Sequence, residues 1–214
     1  MASYIGVGVY GGDPNAVACI GADSYLVHLP ANNALAEAIR AANPLAEIWG
    51  RFDDGNDNQQ VDTSKPAWDE AERWYRFIRR RVEASPAGTF SGVVGICEAW
   101  GTDIQWRADF EFRLCGLLQD YLDIHYAWGS IPVGNLEPWQ IATFEPVIRV
   151  AWAVCYHGYL KEGNTALWQE TESFHLWRPL DLWLPECQRL GIPFTRILLG
   201  EVGTYYNWQS AMTK

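Results

Sequence analysis

The sequence predicts an α/β fold, a TIM-type (β/α) barrel that is shorter than usual. Short apolar runs alternate with amphipathic helical segments seven times, as expected for parallel strands that are each followed by a crossover helix. The 214 residues suit one domain with a sizeable core, so residues 1–214 are predicted to form a single barrel. Barrels of this type usually contain about 250 residues, and we therefore expect the eighth unit to be missing or atypical.

The first half of the chain is predicted to contain four strands and three helices. The predicted strands are residues 3–10, 24–29, 46–52 and 92–100. The predicted helices are residues 13–22, 32–43 and 66–84. Pro14 and Pro66 favour helix starts, because proline lacks the N–H that the first turn leaves unbonded, and Asn43 before Pro44 ends the second helix. The polar, Asn-rich stretch 53–65 is predicted to be a surface loop.

The second half repeats this alternation. Its predicted strands are residues 123–130, 151–160 and 195–200. Its predicted helices are residues 103–122, 137–150 and 178–191, with a break expected at Pro146 and a stop at Gly191. No eighth unit is recognisable in the sequence, so we expect an opening between strands seven and one. The alternative is that the strands are miscounted. The C-terminal tail, a loop or a second subunit of a homo-oligomer would cover that edge.

Composition excludes several classes of function. The net charge is −10 with a pI of about 4.8, and the lysines are Lys65, Lys161 and Lys214, so nucleic acid is not an expected partner. The segment GVGVYGG does not match a dinucleotide-binding motif, and we expect no cofactor. No basic leader and no apolar run of about 18 residues is visible, which predicts a soluble cytoplasmic protein without a membrane partner.

Cysteine and histidine spacing does not predict a metal site. The five cysteines are widely spaced without a CxxC pair, which indicates reduced and mostly buried thiols. His28, His125 and His157 lie near predicted strand ends but form no HxH or HExxH arrangement. Polar residues around a ligand pocket explain these histidines better than a metal site does.

Aromatic residues are unusually frequent, with 12 Trp, 10 Tyr and 8 Phe. Trp74 and Trp183 lie inside helical patterns and are predicted to be core residues. Four others follow apolar runs where strands should give way to loops, and an indole there can offer a flat apolar face to a ligand. These four are Trp100, Trp128, Trp168 and Trp208.

Two glutamates stand at equivalent places in the predicted barrel. Glu98, in GICEAWG, ends strand four, and Glu201, in LLGEVG, ends strand seven. Residues at the C-terminal strand ends of a barrel face a common mouth. Two carboxylates across one mouth are the equipment for glycoside hydrolysis. The alternative is that each glutamate forms a salt bridge with an arginine such as Arg51 or Arg178.

These two motifs also resemble a known family. LLGEVGTYY resembles the strand-seven nucleophile motif, and GICEAWG the strand-four acid/base motif, of the retaining glycoside hydrolase clan that includes cellulase-like enzymes. The segments WGRF, FEFRL, IPVGNLEP, AVCYHGYL and FHLWRPLDLWL are similar to environmental and phage-associated barrels, which implies a phage-encoded origin. The resemblance implies cleavage of a β-linked oligo- or polysaccharide by double displacement, with Glu98 as acid/base and Glu201 as nucleophile.

The resemblance also implies that His157 and Tyr159 line the sugar site from strand six. The full set of predicted carbohydrate-binding positions is Arg51, Cys97, Trp100, His125, Tyr126, Trp128, His157, Tyr159, Tyr205 and Trp208. Cys97 departs from the clan, which has an asparagine immediately before the acid/base to bind the sugar 2-hydroxyl. Because a thiol is a poor hydrogen-bonding substitute, two alternatives stay open: a carbohydrate-binding barrel that has lost turnover, and a structural or assembly protein.

Overall fold

Seven parallel strands form one sheet whose spatial order equals the chain order. The computed structural model describes residues 6–9, 13, 17, 22–29, 33–52, 61–95, 103–132, 136–160, 178–194 and 196–204. The strands are β1 (Gly6–Val9), β2 (Ser24–Leu29), β3 (Glu47–Phe52), β4 (Gly92–Val94), β5 (His125–Ile131), β6 (Ala153–Leu160) and β7 (Ile197–Thr204). Helices follow the strands, so the chain is a TIM-like α/β half-barrel and the predicted fold class is confirmed.

Five α-helices are described. They are α1 (Ala34–Ala42), α2 (Ala67–Glu83), α3 (Ile104–Leu122), α4 (Glu145–Val150) and α5 (Leu184–Leu190). The Asp103 side chain caps α3 by accepting hydrogen bonds from the backbone N–H groups of Gln105 and Trp106. Gly191 ends α5 in the left-handed conformation, at φ 67°, as predicted. The predicted helix 13–22 falls almost entirely outside the described residues.

Two predicted helices change their winding near a proline. A 3₁₀ segment, Pro138–Phe144, runs into α4, and a π-helical turn, Pro179–Trp183, runs into α5. Pro146 and Pro185 lie in the first turns of α4 and α5. Since proline has no N–H to donate, it is tolerated in a first turn but cannot continue the hydrogen-bonding ladder of the preceding segment. The break expected at Pro146 is therefore found at the start of α4.

Alternate residues of the strands enter two separate cores. The larger core packs the sheet against the helices and includes Trp74 and Trp183, both 0% exposed as predicted. The smaller core contains no helical residue and covers the opposite, inner face of the sheet. Its buried members are Leu26, Trp49, Val94, Ala127, Ala153 and Cys155. A parallel sheet that is buried on both faces explains why the strands are continuously apolar in the sequence.

Strand seven differs from its prediction. It was expected to end at residue 200 and to leave Glu201 just outside it, but β7 continues to Thr204. The β6–β7 register shifts here: Tyr156 pairs with Leu199 and His157 pairs with Glu201, which leaves Gly200 as an extra residue. Such a bulge lets a strand continue past a glycine, whereas the sequence pattern predicts that the strand ends at that glycine.

The sheet ends at β1 and β7 over the part of the chain that is described, because no backbone pairing joins these two strands there. The predicted opening lies at this position, and its covering by a tail, a loop or a second subunit stays a prediction. Within the described segments, no helix combines the length and apolar character that crossing a membrane requires. Cys115, Cys155 and Cys187 are buried, as predicted for most of the thiols.

Candidate functional site

A polar pair lies near the C-terminal ends of β2 and β3. His28 and Arg51 are register partners on these neighbouring strands. Each follows by two residues an inner-core residue, Leu26 and Trp49 respectively, so strand alternation puts both on the inner face. The Arg51 side chain is buried at 9% exposure, and His28 is partly exposed. A guanidinium and an imidazole thus stand side by side above the apolar part of the inner face.

A second pair joins β6 to β7. His157 follows Cys155 by two residues, is 1% exposed, and shares its register position with Glu201. The bulge at Gly200 creates this pairing, because an uninterrupted register would put residue 200 beside His157. The glycine within LLGEVG therefore brings a carboxylate-bearing position next to a buried imidazole. For Glu201 and Tyr159 only the backbone is described.

The end of β4 is held against β5. Gly95 follows the last residue of β4, and its backbone N–H donates to the carbonyl oxygen of Ala127 at 2.7 Å. The Ser130 hydroxyl donates to the carbonyl oxygen of Gly95 at 2.6 Å. Glu98 follows Gly95 by three residues. The predicted site residues Cys97, Glu98, Trp100, Tyr205 and Trp208 lie outside the described part of the chain, so their roles stay predictions.

Three predicted binding residues lie on β5 but away from the mouth. Tyr126 is 0% exposed and donates its hydroxyl to Glu111 of α3, and Trp128 stacks on Phe144 with ring centroids 5.0 Å apart, so both side chains point toward the helices. His125 is the first residue of β5 and therefore lies at the opposite end of the strand from the mouth. We leave these three residues out of the proposed site.

His125 belongs instead to an aromatic stack at the N-terminal end of the sheet. Its ring lies 6.5 Å from that of Trp49 and 5.5 Å from that of Trp152, and the two indoles are 4.7 Å apart. The Arg196 guanidinium covers Trp152 at 4.1 Å from the ring centroid. Aromatic and cation–π contacts of this kind fill the inner face away from the mouth. His125 is therefore part of the packing at the end of the sheet opposite the mouth.

His28 is a mouth residue that was not included among the predicted binding positions. The signal was present in SYLVHL, since Leu26 and His28 alternate with the larger-core residues Tyr25, Val27 and Leu29. Of the two arginines suggested as salt-bridge partners for a strand-end glutamate, Arg178 pairs with Glu137 at 2.9 Å. No group of three His, Cys, Asp or Glu side chains in the described segments is placed to hold a metal ion.

Comparison with solved structures identifies the fold. The chain superposes on a class V chitinase from Nicotiana tobaccum with a TM-score of 0.55 and 11% sequence identity, over 92% of this chain and 66% of the chitinase. An L-Ala-D/L-Glu epimerase matches at a TM-score of 0.41 and 13% identity, over 94% of this chain and 49% of the epimerase. A family 18 chitinase from Crocus vernus matches at 0.41 and 9% identity, over 95% of this chain and 88% of that chitinase.

The likeness to the tobacco chitinase concerns the barrel fold. The chain spans about two thirds of the length of the tobacco chitinase. No protein-family model matches the sequence, and no curated protein matches it either. The fold is thus one that chitinases use, whereas membership of the cellulase-like clan stays a prediction from the two glutamate motifs.

Proposed function

We propose that the protein is a glycosidase that cleaves a β-linked oligo- or polysaccharide at the mouth of the half-barrel. The observation that carries this proposal is the β6–β7 bulge, which sets the position of Glu201 beside the buried His157 on the inner face. A register shift that aligns a carboxylate position with an imidazole fits a site better than a solvated strand end, since bulges are frequent next to active sites.

Two glutamates have different tasks in this proposal. Glu201 attacks the anomeric carbon and forms a covalent glycosyl-enzyme, while Glu98 protonates the leaving oxygen and later deprotonates the attacking water. Retention requires the two carboxyl groups to lie about 5–5.5 Å apart across the mouth. Arg51 and His157 supply hydrogen-bonding groups on the same face, where they bind sugar hydroxyls.

A second candidate function follows from the likeness to the tobacco chitinase. Family 18 glycosidases use substrate assistance, in which the N-acetyl group of the sugar replaces the enzymatic nucleophile. Such an enzyme requires one strand-end acid, and Glu98 in GICEAWG would serve as that acid. The two candidates therefore differ in whether Glu201 is essential.

Kinetics on a panel of aryl β-glycosides and polysaccharides, including N-acetylglucosaminides, tests both candidates. For double displacement, Glu201→Gln abolishes turnover of every substrate, because no covalent intermediate can form. Glu98→Ala loses about 10²–10⁴-fold on natural substrates but less on activated phenols, and azide restores part of the rate. Under substrate assistance, Glu201→Gln keeps activity that is confined to N-acetylated substrates.

The matched control is Glu47→Gln, which removes a carboxylate from the first residue of β3, at the opposite end of the sheet. It should retain wild-type kinetics. Equal losses in the Glu98 and Glu201 variants on activated and natural substrates, without azide rescue, would contradict the assigned roles. A wild-type protein that binds oligosaccharides without releasing reducing sugar is a binding barrel, and one that does neither is a structural or assembly protein.

A further inference from the structure

Strand β5 leaves regular geometry close to its C-terminal end. Gly129 and Ser130 both have positive φ angles, 101° and 46°. The β5–β6 register shifts in the same place, between Trp128 and Ile131. A left-handed conformation is ordinary for glycine but uncommon for serine, and it persists where surrounding contacts enforce it. This pair of residues therefore forms an enforced irregularity at the mouth end of β5.

The irregular part of β5 is bonded to the residue that follows β4. The Ser130 side chain is 0% exposed and donates its hydroxyl to the Gly95 carbonyl oxygen at 2.6 Å. The Gly95 N–H donates to Ala127 on the same strand, so both backbone groups of Gly95 are bonded to β5. A Cβ atom at Gly95 would lie 2.7 Å from the backbone nitrogen of Gly129. The chain therefore leaves β4 in close backbone contact with β5.

A buried polar network holds the irregularity from the helical side. The Arg107 guanidinium, 1% exposed, donates to the Gly129 carbonyl oxygen at 3.2 Å and to the Glu111 carboxylate at 2.9 Å. The Tyr126 hydroxyl donates to the other carboxylate oxygen at 2.5 Å. Because α3 carries both Arg107 and Glu111, the position of Gly129 is tied to a 19-residue helix. Ser130 therefore follows a residue that is hydrogen-bonded to α3.

We propose that Ser130 is a positioning residue for Glu98. This inference rests on the proposed function, in which Glu98 is the acid/base. The Gly95 carbonyl that Ser130 holds lies three residues before Glu98 in the sequence, so Ser130 fixes the last described residue ahead of the acid/base. A displacement of about 1 Å at a reacting group can cost about 10²-fold in rate. Loss of the Ser130 hydroxyl therefore impairs proton transfer without removing any group from the mouth.

A purely structural role for Ser130 predicts a different result. In that case its hydroxyl would satisfy a buried carbonyl, and its loss would lower stability only. Ser91 provides the comparison, because it bonds neighbouring backbone at the other end of β4. Its hydroxyl oxygen accepts from the Ile48 N–H at 3.2 Å and from the Arg40 guanidinium at 3.3 Å. Ser91 and Ser130 thus brace the same strand at opposite ends.

The experiment compares Ser130→Gly with Ser91→Ala. Glycine at position 130 keeps the left-handed backbone accessible while removing the hydroxyl, which protects folding. We expect Ser130→Gly to lower kcat on natural substrates about 10–100-fold with KM within about twofold of wild type, and to lose less than half of that factor on activated aryl glycosides. Ser91→Ala should keep wild-type kcat on both substrate types. Ser130→Ala, which removes the same hydroxyl, should show the same dependence on the leaving group.

Each result supports or overturns the inference. If the wild type is active and Ser130→Gly has the same kinetics as Ser91→Ala, the positioning role is overturned and the proposed function is not. A loss that is equal on natural and activated substrates also overturns it, because misplacement of an acid matters least when the leaving group requires no proton. An inactive wild type, or an active one that is insensitive to Glu98→Ala, overturns the proposed function and this inference with it.

Discussion

Replacement of Tyr126 by phenylalanine removes one oxygen atom from the centre of the molecule. Tyr126 and Glu111 are both 0% exposed, and the phenol donates to Glu111 Oε2 at 2.5 Å. The ring itself stays in place, packed in the core between the sheet and the helices. The Glu111 carboxylate keeps its ion pair with Arg107 at 2.7 Å. The perturbation therefore isolates one charge-assisted hydrogen bond.

The expected loss of stability follows from the charge of the acceptor. Hydrogen bonds to charged groups contribute about 1.5–3 kcal/mol, and a buried acceptor that loses its donor pays its desolvation cost. Because Arg107 still bonds the same carboxylate, we expect the middle of this range, about 2 kcal/mol. For a chain of this size that loss lowers Tm by about 4–8 °C, at about 2–4 °C per kcal/mol.

Urea unfolding followed by circular dichroism measures the effect. The matched control is Tyr121→Phe, which removes a hydroxyl from a residue of α3 that is 68% exposed, and which should stay within about 0.5 kcal/mol of wild type. An equal unfolding midpoint for the two variants refutes the argument. It would mean that the Tyr126–Glu111 bond contributes no more than a contact with water.

The same bond predicts a pH dependence with a defined sign. Burial first, and then the Glu111 carboxylate, raise the pKa of Tyr126 well above its ordinary value of 10.0. The folded state therefore keeps the phenol proton at a pH where the unfolded chain loses it, and this part of the stability is present below about pH 10 and lost as the pH rises further. Above pH 10 the unfolding free energy should fall less steeply in Tyr126→Phe than in wild type, and parallel slopes would contradict the assignment.

Two further predictions concern the cores. Gly92→Ala should lower the free energy of unfolding by about 1–3 kcal/mol and change the near-ultraviolet circular dichroism, because a Cβ at Gly92 would overlap the buried ring of Trp49. Gly116→Ala, in a helix with open space around it, should be neutral or stabilising. Equal effects of the two substitutions would refute the overlap. Burial raises the pKa of the Cys115 thiol to about 12 and that of Cys187 to about 11, so the stability that both contribute is present below about pH 9 and is lost as the pH rises toward those values. Cys115→Ala should therefore make the free energy of unfolding fall less steeply above pH 9. An unchanged slope in that pH range would exclude the contribution of Cys115.

The apolar runs of the strands and the residues that start and stop the helices were sufficient to predict the architecture. SYLVHL forms β2 over the predicted residues, and the helix predicted at 103–122 is found at Ile104–Leu122. Both segments carry their signals locally, as an apolar run between polar residues and as an N-cap aspartate. The fold class follows because each such element agrees with its neighbours in a strand–helix alternation.

The candidate site was less predictable because it depends on register. Glu201 was expected beyond the end of its strand, yet β7 passes through it, and no local pattern in LLGEVG indicates which residue of β6 it pairs with. His125 was expected to bind carbohydrate because it lies near a strand end, but β5 begins at His125, so that end is the one opposite the mouth.

Both register shifts in the described ladders meet on the same strand. On the β7 side, Tyr156 of β6 pairs with Leu199 in the last pair before the register shift. On the β5 side, Tyr156 pairs with Ile131 in the first pair after the other shift. A bulge increases local twist and redirects the residues that follow it, so His157, the next residue of β6, lies where the sheet is distorted from both sides. A glycine permits each distortion, Gly129 on β5 and Gly200 on β7. The two glycines thus lie at the register shifts on either side of the strand that carries the buried His157 imidazole.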